Sequence, residues 1–144
     1  MTEPSSETLH ASCVAIGGRA VLIEGPSGAG KSDLALRLID RGALLVSDDY
    51  TLVRRKGAGL VAAAPATIAG KIEVRGIGIV DMVQRDGLPV ALLVGLGAAV
   101  DRLPAEGLSR IVAGVPLPYI GLAGLEASAP IKVELALDRL GLMR

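Results

Sequence analysis

Gly25-Pro26-Ser27-Gly28-Ala29-Gly30-Lys31-Ser32 fits the pattern G-x-x-x-x-G-K-[ST] at every fixed position. Glycines in such a loop let backbone N–H groups turn inward around phosphate oxygens, and a helix starting at its end adds partial positive charge. Lys31 would then reach the β- and γ-phosphates of ATP, and the Ser32 hydroxyl would ligate Mg²⁺. A glycine turn that only joined strand to helix would have no use for a lysine and a hydroxyl at those places. Phosphoryl chemistry on this loop also needs an acidic group near the metal, commonly where an apolar strand ends. Ala43-Leu-Leu-Val-Ser-Asp48-Asp49 offers two. Neighbouring carboxylates can divide the work, one beside the cation and one beside an attacking hydroxyl. The plainer alternative is that they open a turn or a cap.

Other residues leave more open. His10 is the only histidine, and a lone histidine is as readily a surface or capping residue as a functional one. Glu73 and Arg75 lie at i,i+2 in Gly70-Lys-Ile-Glu-Val-Arg-Gly-Ile-Gly-Ile-Val-Asp81. Sharing one side of a strand, they could serve metal and phosphate, or form a solvated ion pair beside a turn. Cys13 sits in an apolar run and reads as core.

Elements must hold these groups in place. Residues 1–8 read as a polar arm and residues 9–144 as one domain. Ala11–Ile16 and Ala20–Glu24 read as strands joined by a Gly-Gly turn. Lys31–Arg41 is helical: Leu34 with Leu38 and Ala35 with Ile39 make an apolar stripe, and Gly42 follows as a C-terminal glycine. Ala43–Val46 is a buried strand, Thr51–Arg55 and Leu60–Ala64 a hairpin, and Pro89–Val94 another strand. Glycines interrupt every window of Pro65–Asp81. A short amphipathic segment falls around Leu108–Val112. From Ser128 onward, a capped helix and an alternating strand fit equally well. The sum is an α/β domain, a mixed sheet with flanking helices built around a P-loop.

Composition narrows the function. A chain of 144 residues that is 51% apolar buries a core of its own, although it holds no Phe or Trp and only two Tyr. Fifteen basic against 15 acidic residues leave no basic stripe for nucleic acid, and two tyrosines make no base-stacking platform. One cysteine and one histidine exclude an internal disulfide and a structural zinc site. Residues 1–8 are polar and acidic, unlike a secretory signal, and Leu88–Val100 is too short to span a bilayer. The expectation is a cytoplasmic protein with no membrane partner.

His10, the loop Gly25–Ser32, the pair Asp48-Asp49 and Ile72-Glu-Val-Arg-Gly-Ile-Gly-Ile-Val resemble the catalytic domain of bacterial HPr kinase/phosphorylase in type, order and spacing. The resemblance is good over residues 9–82, with a weaker echo at Asp101-Arg102-Leu103. It implies an ATP- and Mg²⁺-dependent kinase that phosphorylates a serine of the phosphocarrier protein HPr. By the same resemblance the P-loop and Lys31 hold the phosphates, and Ser32, Asp48 and Glu73 serve the metal. Asp49 takes the serine proton, His10 lies near the transferred phosphoryl group, and Arg102 matches an active-site arginine. Compact relatives in alphaproteobacteria suggest the nitrogen-branch relative of HPr as an alternative partner, within a regulatory phosphotransferase system. Larger family members form hexamers, and the apolar stretch Val112–Leu125 is a candidate contact surface for a homo-oligomer.

The chain also departs from the family. It shows only about eight residues before His10, where usual members carry a further domain. The family's arginine-containing loop has as its nearest counterpart Gly114-Val-Pro-Leu-Pro-Tyr-Ile-Gly-Leu-Ala-Gly124, which holds no Arg or Lys. A phosphorolytic pocket calls for cations or N–H donors, so reverse phosphorylase activity is expected to be weak or absent. Two other readings compete: a P-loop kinase of a small metabolite, and a non-catalytic ATP-sensing interaction module in which Asp49 does no chemistry.

Overall fold

A computed structural model describes residues 5–97, 100 and 108–143. Its strands are β1 (Ser6–Leu9), β2 (Ala11–Ile16), β3 (Arg19–Glu24), β4 (Leu44–Ser47), β5 (Thr51–Lys56), β6 (Gly59–Ala63), β7 (Lys71–Val74), β8 (Gly78–Asp81), β9 (Leu88–Leu96), β10 (Ser109–Val112) and β11 (Val115–Leu122). The helices are α1 (Lys31–Asp40) and α2 (Ala129–Leu140). A large mixed sheet runs β1-β5-β6-β9-β3-β2-β4, and β11 joins β9 to β10; β7 and β8 pair separately.

β9 is the hub. It is antiparallel to β6 through Leu88 and Pro89, parallel to β3 from Val90 to Gly95, and parallel to β11 from Leu93 to Leu96. Side chains alternate across the sheet with period two. Val21 and Ile23 of β3 and Leu92 and Val94 of β9 face the helices with Leu34, Leu38, Val133 and Leu137. Ala20, Leu22, Val90 and Leu93 point to the opposite face, where Val53, Leu60 and Leu117 close a second core. Cys13 lies fully buried in that second core.

Several expectations change. Residues 6–8, read as part of a polar arm, belong to β1, which pairs with β5 from Ser6↔Arg54 to Leu9↔Thr51. The glycine-broken segment holds the β7–β8 hairpin, its register running from Lys71↔Asp81 to Val74↔Gly78. The segment around Leu108–Val112 is β10, hairpin partner of β11. Val112–Leu125 is not an apolar surface for a partner: Val112, Val115, Leu117, Ile120 and Leu122 are buried within the chain, and Leu125 is the exposed large residue of the stretch. Beyond Ser128 the chain is helical, as α2.

Candidate active site

The end of β3 releases the chain into the glycine loop, and α1 begins directly at Lys31. Gly28 and Gly30 hold φ of 84° and 96°, left-handed values that L side chains resist, so the loop can turn its backbone toward α1. Lys31 is buried, and its Nζ donates to the carbonyls of Gly25 at 2.7 Å and Pro26 at 3.3 Å. The ammonium is therefore folded back along the loop it would serve.

β4 delivers the two aspartates. Asp48 is only 6% exposed. Its Oδ1 accepts from Ser32 Oγ at 2.5 Å and Ser12 Oγ at 3.0 Å, and its Oδ2 accepts from the Glu73 backbone N–H at 3.0 Å. Thus the P-loop hydroxyl, β2, β4 and β7 meet on one carboxylate. Among the described residues it has no cationic partner. A buried carboxylate sharing its oxygens with a P-loop hydroxyl is the hard-oxygen set that Mg²⁺ takes, completed by phosphate and water. Ser32 and Asp48 therefore fit the ion. Among the described residues no three His, Cys, Asp or Glu side chains gather as a metal cage. Glu73 itself is exposed and meets Asp48 through its main chain.

Asp49 points elsewhere. It takes φ of 68°, a left-handed conformation that aspartate tolerates better than most residues and that recurs where strain serves function. The corner is tied down by the Asp49 N–H donating to Ser12 Oγ at 3.1 Å and the Tyr50 N–H donating to the Asp48 carbonyl at 2.8 Å. Ser47 Oγ adds a bond to the Tyr50 carbonyl. Asp49 Oδ1 meets His10 Nε2 at 2.9 Å, and the Tyr50 ring stacks on the imidazole with centroids 5.0 Å apart. Both members of this dyad are about half exposed, so substrate can approach them.

The start of the loop and His10 of the dyad border one cavity of about 410 Å³. Its walls include His10, Gly25 and Pro26 together with Glu24, Arg110 and Tyr119. The structure thus joins Ser32 to Asp48, His10 to Asp49, and Glu73 to Asp48. Arg75 is exposed near the tip of the β7–β8 hairpin, and Arg102 lies outside the described residues. Sequence reasoning passed over Ser12, Tyr50, Glu24, Arg110 and Tyr119. Ser12 alone carried a signal, as a hydroxyl in the otherwise apolar run of β2.

The fold thus brings a phosphate-loop sequence and a pair of aspartates into one site. Residues 3–91 match the family model described as HPr Serine kinase C-terminal domain, so the chain belongs to that family. An HPr kinase/phosphorylase of Lacticaseibacillus casei strain BL23 is 33% identical over 139 residues, covering 88% of this chain and 41% of the relative. One of Clostridium botulinum strain Eklund 17B is 44% identical over 84 residues, covering 58% of this chain and 28% of the relative. The chain thus spans well under half the length of these relatives. The solved structure of the Hpr(Ser) kinase/phosphatase from Coxiella burnetii superposes with a TM-score of 0.78 at 28% identity, over 92% of this chain and 94% of that one. The mixed α/β architecture is that of the HPr kinase catalytic domain.

Proposed function

We propose that the domain transfers the γ-phosphoryl group of ATP to a serine hydroxyl of HPr or of its nitrogen-branch relative. One observation carries this reading: a single short corner, Ser47–Tyr50, binds the P-loop hydroxyl through Asp48 and the imidazole of His10 through Asp49. The loop amides and Lys31 bind and orient the phosphates. Ser32 and Asp48 hold Mg²⁺, and Glu73 stays a further ligand on the resemblance alone. When bound, the ion neutralises charge on the phosphates. Asp49, exposed beside the loop, accepts the proton of the serine hydroxyl, a weak nucleophile until a base relieves it. His10 fixes the direction of that carboxylate, and Tyr50 fixes His10. A weak or absent reverse, phosphorolytic direction belongs to the same proposal, supported by the sequence of Gly114–Gly124, which carries no Arg or Lys.

The test is transfer of labelled γ-phosphate from ATP to each of the two phosphocarriers with Mg²⁺. Asp49→Asn should lower the rate at least about 100-fold, within the range general bases contribute, while ATP affinity stays within a few-fold. ATP binding with no label on either carrier would replace this reading with the metabolite kinase or the sensor. Pyrophosphate release from phospho-HPr as fast as the forward reaction would overturn the slow reverse direction.

A further inference from the structure

In the wall of the cavity, three residues with no role above, Glu24, Arg110 and Tyr119, are built into one unit. Glu24 of β3 is register partner to Gly95 of β9, and Gly95 to Gly121 of β11. Tyr119 of β11 lies across the gap that Gly95 leaves: a Cβ there would fall 2.1 Å from the phenolic oxygen and 2.8 Å from the ring. Arg110 of β10 stands opposite Leu117, hence diagonal to Tyr119 on the same face. Its guanidinium carbon sits 4.7 Å from the Tyr119 ring centroid, and its Nη1 donates to Glu24 Oε1 at 2.6 Å. An aromatic face below and a carboxylate at the side fix the direction of the fork, while the side chain stays 47% exposed.

An ordinary surface ion pair needs neither the ring nor the missing side chain beneath it. This arrangement aims an arginine into the cavity that His10 and the first residues of the phosphate loop also line. A guanidinium offers five N–H donors, so one contact with Glu24 leaves several to spare, in the planar geometry that matches phosphate oxygens. Gly114–Gly124 carries no Arg or Lys, yet its hairpin partner β10 brings a cation to the cavity that Tyr119 lines. Inorganic phosphate bound at Arg110 would therefore count against a weak reverse reaction. We propose that Arg110, held by Glu24 and Tyr119, binds the oxygens of a tetrahedral phosphate at the acceptor end of the cavity. The phosphate comes either as a serine phosphomonoester or as inorganic phosphate. The inference deepens the kinase reading and rests on it only for the ester's being the acceptor's.

The experiment titrates O-phosphoserine and, separately, inorganic phosphate into the protein saturated with Mg²⁺ and ADP, which keeps the phosphate loop filled. The Arg110 Nε–Hε resonance, assigned through Arg110→Gln, is followed by NMR, and affinity is measured by calorimetry. Wild type should show a saturable shift, and Arg110→Gln should weaken affinity at least about tenfold. Tyr119→Leu, which keeps the cation and removes its platform, should weaken it by a smaller factor. A shift with O-phosphoserine alone assigns the site to the ester; a shift with both assigns it to phosphate generally. No shift up to about 20 mM of either anion, or equal affinity in a folded Arg110→Gln protein, overturns the inference. Label transfer to HPr, measured on the same proteins, separates the two readings. Anion binding without transfer would sink the kinase and leave this site standing; transfer without anion binding would do the reverse.

Discussion

Asp48 is held out of water by three neutral donors, the hydroxyls of Ser12 and Ser32 and the Glu73 amide. Removing the carboxylate leaves those donors facing a gap, and unsatisfied buried donors cost about 1–3 kcal/mol. Asp48→Ala should therefore lower the urea midpoint by the equivalent of that range. An unchanged midpoint would show that the network holds the site without holding the fold. Asp49 asks for a different substitution. With φ at 68°, its position accepts asparagine readily and β-branched residues poorly. Asp49→Asn thus tests chemistry with the corner intact, whereas Asp49→Val would confound chemistry with backbone strain. At this scale the sequence was informative wherever a residue type was out of place. Lysine and serine after the third glycine, and paired acids after an apolar run, declared themselves. Arg110 and Tyr119 did not, because an arginine among polar and apolar neighbours on a strand looks like any solvated side chain until Gly95 places the ring beneath it.

The elements show where pattern decides and where it does not. α1 carries one apolar stripe with period 3.6 and was readable. In α2, Ile131, Val133, Leu135 and Leu137 satisfy both periods at once. The packing separates them: Val133 and Leu137, four apart, are buried, while Ile131 and Leu135 are exposed. Leu137→Ala should consequently cost about 2–5 kcal/mol in chemical denaturation, the range for a buried leucine, and Leu135→Ala little. Equal losses at the two positions would mean that the helix is seated differently. β11 was missed as a strand because Pro116 and Pro118 lack the N–H a ladder requires. The chain divides the strand in two: the proline half pairs with β10, and the proline-free half, Tyr119–Leu122, pairs with β9. The β7–β8 hairpin was hidden by Gly70, Gly76 and Gly78, which have left-handed φ values.

Over the whole molecule, a core without Phe or Trp is filled from both faces of one sheet by Ala, Val, Leu and Ile. Cys13 reports on how dry that core is. Burial, helped by the charge of Asp86, pushes its thiol well above the ordinary 9.0. Below pH 9 both folded and unfolded chains keep the proton, and the thiol contributes no pH dependence. Above it the unfolded chain ionises while the folded chain does not, so stability falls as pH rises, by up to about 1.4 kcal/mol per pH unit. Urea midpoints taken from pH 8 to pH 11 should therefore drop more steeply for wild type than for Cys13→Ala. Parallel slopes would place the thiol in contact with water.

The central place of β9 also sets an order of events. β3, which carries the phosphate loop at its end, finds its parallel neighbour only in Leu88–Leu96, roughly seventy residues later in the chain. Such distant pairing must close a long loop before any contact rewards it, and it slows folding. During synthesis from the N-terminus, the glycine loop and both aspartates leave the ribosome well ahead of the strand that completes their scaffold. A nascent chain at that point owns the glycine loop, Lys31, Ser32 and both aspartates, with one flank of β3 still unpaired. The nucleotide site is thus among the first parts of this protein to be written and among the last to be assembled.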